Sequence, residues 1–485
     1  MAAAWNPLGP LFRQNVTRRR GLATTSRQAC GMYLAVGAPM LGHRGVIVGR
    51  ERYAGKAFIY DPFLLYSEES RVRLPAPHML VLGKSGYGKS AMVKTYVLRQ
   101  LSYRDRSFVV LDAQGEGLAG EWQEIADALD VIPIRLTYGG VHDGGIRINP
   151  LDPEIPLAHQ QDLLTSMVEI VAGEVLTSDA KFAIEVALNA ARRAAADRRR
   201  VPVLSDVLAA ITDPQPAMLG QRECASSELR EWGMPAGFAL HALTSGNLAG
   251  LFDGETVSGT AGTSIDLTGR LVIFDMARLP REGEALPLFM AVIGAWLRFG
   301  WIDPASTTKY TLVIEEAWHI LAHRPVARLF NEFMRFGRRL GLSVIAVAHH
   351  LSDLRLDEVP EAVSIIKLSA TRVVYHIEGD DADTVADYLE LPAWAREAIK
   401  DPANLAAPGN GIWSFSGLTL LVQHLRTPAE TALTNTNKRM SDGPAASPDA
   451  PSAAPSAGRP AGPRTGPADE PTGGPAAAAT CEGER

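Results

Sequence analysis

Five runs along the chain are apolar at nearly every position rather than at alternate ones. They are Met79-Leu80-Val81-Leu82, Phe108-Val109-Val110-Leu111, Leu271-Val272-Ile273-Phe274, Tyr310-Thr311-Leu312-Val313-Ile314 and Ser343-Val344-Ile345-Ala346-Val347. Such runs predict strands covered on both faces, as in a parallel sheet. A helical stretch, Ser90 to Leu101, lies between the first two, and helical stretches separate the last three. Strand, helix and strand make a βαβ unit, so the predicted class is α/β with a mainly parallel sheet. Upstream, residues 45–49 and 57–62 read as short strands punctuated by Gly and Pro, a small N-terminal β segment. Residues 153–245 change character: Leu164, Met167, Val168 and Val171 recur at helical spacing, as does the 182–195 stretch. They predict a helical subdomain inserted into the sheet. The expected organisation is an arm and β segment over 1–74, core over 75–152, helical insertion over 153–245, core again over 246–430, and a tail over 438–485. That tail is nearly all Pro, Ala, Gly and Ser and lacks the apolar side chains to fold, so it is expected to be disordered.

Composition narrows this picture. Of 485 residues, 46% are hydrophobic and 21% charged, ordinary for a chain with a large core. A net charge of −6 excludes a generally basic nucleic-acid coat, though not a local basic patch. Cys30, Cys224 and Cys481 are scattered and odd in number, against both a disulfide framework and a four-thiolate zinc site. A reducing cytosol fits best. The most apolar segment, Gly31 to Gly42, is too short to span a bilayer and is broken by Gly and Pro. It has no clear cleavage site after the arginines that precede it, so a cytoplasmic chain is expected.

Chemistry enters with Gly83-Lys84-Ser85-Gly86-Tyr87-Gly88-Lys89-Ser90, which satisfies the G-x-x-x-x-G-K-[ST] phosphate-loop (Walker A) pattern between an apolar strand and a helix. The glycines let backbone N–H groups wrap phosphate at a helix N-terminus. Lys89 is expected on the β- and γ-phosphates of ATP and the Ser90 hydroxyl on Mg²⁺. Lysine is scarce, nine against 39 arginines, so one at this place is informative.

Hydrolysis needs acids nearby. Val313-Ile314-Glu315-Glu316 is an apolar strand ending in two carboxylates. Glu315 is assigned to the metal and Glu316 to the base that polarises water. The plainer alternative is two glutamates opening the next helix, where the dipole favours negative charge. Asp112 and Glu116, in the VLDAQGEG run, either assist the metal or the water or form a solvated acidic turn.

The order of these motifs is informative. Gly83–Ser90 is followed by Leu111–Gly117 (LDAQGEG), Ile148-Asn149-Pro150-Leu151, the helical insertion, Leu251-Phe252-Asp253-Gly254, Val272-Ile273-Phe274-Asp275, and Ile314-Glu315-Glu316-Ala317-Trp318. The set resembles the conjugative, type IV secretion ATPases (TraC/VirB-type) of the HerA–FtsK superfamily, over roughly residues 45 to 425. The resemblance implies a RecA-like P-loop NTPase core with an inserted all-helical domain. It also implies a homo-oligomeric, often hexameric, motor docked at the inner face of the bacterial membrane. Such motors work with membrane-embedded secretion or conjugation components and power substrate transfer, DNA included, or channel assembly.

The chain departs from that pattern in places. The family usually has Asp then Glu where Glu315 and Glu316 stand. Its next strand usually ends in a Gln sensor, where this chain has Ala348-His349-His350. One reading gives His349 or His350 that role. The other has neighbouring strand residues pointing to opposite faces, one to core and one to solvent. Ring motors complete each site with an arginine from the neighbour; the candidates are Arg372 and, in RFGRR, Arg335, Arg338 and Arg339. The RFGRR run equally reads as cations closing a helix before Gly341. The alternatives to a secretion motor are a HerA/FtsK-like double-stranded DNA translocase and a weakly hydrolysing nucleotide-binding scaffold.

Overall fold

The computed structural model describes residues 44–435 except 68–69, 71, 115–119, 138–144, 220–223, 246–247, 259–264, 266, 280–282, 318–322, 350–358, 402–404 and 406–408. The N-terminal arm, the Pro/Ala/Gly tail, Glu116, Trp318 and His350 lie outside the described residues. The strands are β1 (Val46–Glu51), β2 (Ala57–Tyr60), β3 (Met79–Leu82), β4 (Arg106–Asp112), β5 (Ile134–Arg135), β6 (Ile146–Arg147), β7 (Val257–Ser258), β8 (Leu271–Asp275), β9 (Lys309–Ile314), β10 (Leu342–Ala348), β11 (Thr371–Val374), β12 (Asn410–Phe415) and β13 (Leu418–His424). The helices are α1 (Pro62–Tyr66), α2 (Lys89–Gln100), α3 (Gln123–Ala128), α4 (Leu157–Ala172), α5 (Ser178–Asp197), α6 (Leu204–Thr212), α7 (Pro216–Leu219), α8 (Ser226–Ser245), α9 (Ala285–Trp296), α10 (Arg324–Leu340), α11 (Pro360–Leu368), α12 (Gly379–Tyr388), α13 (Ala393–Lys400) and α14 (Pro428–Thr434).

Among the described residues eleven strands form one sheet in the order β2-β1-β13-β12-β11-β3-β10-β9-β4-β8-β5. From β11 to β5 every pair is parallel. From β11 through β12, β13 and β1 to β2 the pairs are antiparallel. The small N-terminal β segment therefore continues the main sheet. The continuous apolar runs are explained by burial on both faces. Leu80, Leu82, Val109 and Leu111 pack into one core, Met79, Val81, Phe108 and Val110 into the other.

The N-terminal segment is fastened by a buried ion pair. The Asp61 carboxylate accepts from the Arg106 guanidinium at 2.9 Å and from the Gln100 amide at 3.2 Å, and it caps α1 by accepting from the N–H of Phe63 and Leu64.

Helices α4 to α8 form the expected insertion between β6 and β7, which pair antiparallel at its neck. Here two of the sequence motifs meet. The Ile148 N–H donates to the Leu251 carbonyl, and Asn149 N–H to the Thr256 hydroxyl. Asp253 accepts from the N–H and hydroxyl of Ser205 in the first turn of α6. The Asn149 amide donates to the Pro202 carbonyl. The N-P-L and L-F-D-G motifs thus staple the insertion to the core. Among the described residues no helix is long and apolar enough to cross a membrane.

Candidate nucleotide site

Four neighbouring parallel strands end side by side. Ala348 of β10 is level with Leu82 of β3, and Ala346 with Ile314 of β9, which is level with Leu111 of β4. The residues that follow these strands, Gly83, His349, Glu315 and Ala113, therefore converge on one edge of the sheet. That edge is where ligands bind in open α/β sheets.

The phosphate loop is shaped by its glycines. Gly83 has φ +138°, and a Cβ there would come 2.6 Å from the Cβ of Tyr375, so no other residue fits. Gly88, at φ +99°, is the N-cap of α2, so Lys89 and Ser90 open that helix. Neighbouring backbone braces the loop: Lys84 N–H donates to the His376 carbonyl at 2.9 Å and Gly409 N–H to the Tyr87 carbonyl at 3.0 Å. The Tyr87 ring lies against His376, with centroids 4.7 Å apart. Half-buried Lys84 pairs with Glu378 at 2.6 Å, while Ser85 and Gly86 are exposed.

Lys89 is buried. Burial lowers the pKa of its ammonium to about 8, against the pull of Glu316, Glu315 and Glu121. Its Nζ lies 3.3 Å from Nδ1 of His349. Nε2 of that ring lies 2.8 Å from Oε1 of Glu316, and the Gln114 amide donates to the same oxygen. One tautomer satisfies the ring's two closer contacts, Nδ1 accepting from Lys89 and Nε2–H donating to Glu316, while the Gln114 amide nitrogen lies 3.5 Å from Nε2. Of the two readings held open for His349, the structure has it facing the site.

Glu316 has φ +55°, uncommon for a residue with a side chain and worth about 1–3 kcal/mol of strain. The turn is held by the Ala317 N–H, which donates to the Val347 carbonyl at 2.7 Å. It sends the two glutamates apart. Glu316 faces His349, whereas Glu315 goes under the sheet edge, fully buried, where its Oε1 accepts from the Trp122 indole at 3.3 Å. Burial raises the Glu315 pKa to about 7, moderated by Lys94. Among the described residues, Oε2 of Glu315 is buried without a hydrogen-bond partner. Such an orphaned carboxylate oxygen is costly unless something binds it, and it fits a cation such as the expected Mg²⁺. Among the described residues no group of three or more His, Cys, Asp and Glu side chains makes a self-sufficient metal cage. Mg²⁺ at a nucleotide site needs none, because phosphates and water complete its shell.

Asp112 is neither a solvated turn nor aimed at open space. It is buried, its pKa is driven well up by that burial, and it closes its own loop by accepting from Gln114 N–H at 3.2 Å and Trp122 N–H at 3.0 Å. Arg372 is not brought to the phosphate loop. It lies on β11 opposite Leu80, and its guanidinium donates to the Leu389 carbonyl at 3.0 Å. Arg338 and Arg339 occupy the last turn of α10, which Gly341 ends at φ +62°, so the helix-closing reading holds for them.

Sequence reading missed three contributors. Gln114 lies in the VLDAQGEG run, where the sequence assigns roles only to Asp112 and Glu116. Lys94, buried in α2, and Trp122, ten residues past Asp112, carry no motif. The scarcity of lysine was the one available signal for Lys94.

No family model matches the chain, and no curated protein matches it. Solved structures do. VirB4 of Thermoanaerobacter pseudethanolicus superposes with a TM-score of 0.62 at 18% identity, covering 80% of this chain and 98% of that one. The plasmid coupling protein TrwB in complex with a GTP analogue gives 0.47 at 18% identity, covering 81% and 97%. The genome packaging NTPase B204 from Sulfolobus turreted icosahedral virus 2 gives 0.31 at 11% identity. The chain has the fold of VirB4, here a RecA-like core with an inserted helical domain.

Proposed function

We propose that the chain is an ATP-hydrolysing motor that energises conjugative DNA transfer or type IV secretion. The observation that carries the reading is the chain of contacts from Lys89 through His349 to Glu316, built on strands that end beside the phosphate loop. With ATP bound, the Lys89 ammonium leaves His349 for the β- and γ-phosphates, which also restore its full charge. Glu316, held on Oε1 by His349 and Gln114, is the base that takes a proton from the attacking water. Ser90 and Glu315 hold Mg²⁺, which neutralises phosphate charge when bound.

The choice of motor rests on the motif set and on the likeness in fold to VirB4. On this reading the chain is a homo-oligomer, a hexamer by resemblance, working at the inner face of the membrane with channel components. An arginine from a neighbouring copy, Arg372 among the candidates, completes each site.

The test is steady-state ATPase of the purified chain with and without duplex DNA, beside its oligomeric mass. The expected result is turnover little changed by DNA and lost in Lys89→Ala. Strong stimulation by duplex DNA that fades steeply with salt would favour the translocase instead. Nucleotide binding without turnover would leave the scaffold.

A further inference from the structure

Trp122 makes two hydrogen bonds to two different strand ends. Its backbone N–H donates to Oδ2 of Asp112, the last residue of β4, at 3.0 Å, and its indole N–H donates to Oε1 of Glu315, just after β9, at 3.3 Å. The residue before it is tied to the phosphate-loop helix. Buried Lys94 of α2 donates to the Glu121 carbonyl at 2.9 Å and to its carboxylate at 3.1 Å, and the same ammonium lies 5.9 Å from the Trp122 ring centroid. Gly120 permits this approach, since a Cβ there would meet Oδ2 of Asp112 at 2.3 Å. Helix α2, which begins with Lys89 and Ser90, is thereby linked through Lys94, Glu121 and Trp122 to Glu315, whose second oxygen is buried and unpartnered.

We infer that Trp122, anchored by Lys94, is a positioning residue that fixes Oε1 of Glu315 and so presents Oε2 to the cation of the nucleotide site. A glutamate has three side-chain torsions to fix, and a single donor on one oxygen removes most of that freedom. Partners of this kind, one bond removed from the metal, typically hold about tenfold or more of a site's metal affinity. The inference rests on the nucleotide-site reading above and assigns part of its metal affinity to a residue outside every motif.

The test is equilibrium binding of a non-hydrolysable ATP analogue to the full chain, titrated with Mg²⁺, for the wild type, Trp122→Phe and Lys94→Gln. Trp122→Phe keeps the aromatic packing and loses the indole donor. The expected result is a Mg²⁺ half-saturation raised about tenfold in Trp122→Phe, with analogue affinity in the absence of metal unchanged, and a smaller rise in the same direction in Lys94→Gln. Melting temperature is followed in parallel. If Trp122→Phe proves too unstable to titrate, Lys94→Gln alone decides. An unchanged half-saturation in the folded variants would overturn the inference and leave the nucleotide site standing. Failure of the wild type to bind the analogue at all would instead remove the nucleotide-site reading itself.

Discussion

The Lys89 ammonium lies 3.3 Å from Nδ1 of His349, a contact between residues 260 positions apart. The other nitrogen of the imidazole reaches Glu316, so this ring joins the proposed phosphate-binding cation to the proposed base. His349→Ala is expected to lower kcat by about 100-fold, the usual scale for losing a group that orients proton transfer. His349→Gln, which still offers one acceptor and one donor, is expected to keep most activity. Steady-state rates at saturating ATP check both.

Glu316→Gln is expected to bind ATP normally and to hydrolyse it at least about 100-fold more slowly, because the amide keeps the shape but accepts no proton. Glu315→Gln is expected to weaken Mg²⁺-dependent binding instead. The two side chains diverge at the positive-φ turn, so each effect stays separate. Affinity and turnover measured independently, with magnesium varied, decide the matter. Normal hydrolysis by Glu316→Gln would move the base elsewhere, with Glu116 next in line.

Asp61→Ala removes one of the two carboxylates that pair with the buried Arg106 guanidinium and uncaps α1, while Asp105 stays paired at 2.6 Å. Losing a buried charge-assisted partner and a helix cap costs about 1–3 kcal/mol, so the chain should unfold at lower denaturant. Urea unfolding followed by circular dichroism reads the change; a loss under about 1 kcal/mol would show that the pair contributes little.

Glu430, in the first turn of α14, accepts from Arg99 of α2 at 2.7 Å, and that bond pulls its pKa down to about 2. A depressed carboxylate binds fewer protons folded than unfolded. Its stabilisation is present above the ordinary carboxylate value and is lost as pH falls from about 4.5 towards 2. The melting-temperature gap between wild type and Glu430→Gln is expected to be full at pH 7 and to shrink through that window. A gap constant down to pH 2.5 would refute the linkage.

Local patterns alone determined much of this protein. Continuous apolar runs marked the buried parallel strands, because a strand covered on both faces has no polar side to show. The phosphate loop was legible for the same local reason. Its glycines are demanded by backbone conformations within a few residues, +138° at Gly83 and +99° at Gly88. The helical insertion announced itself by period. What only the tertiary structure decided depends on strand order and register, which spacing does not encode. Placing β10 between β3 and β9 is what sets His349 between Lys89 and Glu316. Nothing in the sequence near His349 distinguishes a site-facing ring from a solvated one. The same holds for Asn149 and Asp253, motif residues whose work is to clamp the insertion, and for Trp122, whose indole meets Glu315 across 193 positions of chain. Contacts of that range are set by how whole elements pack, so they become visible only when the sheet is assembled.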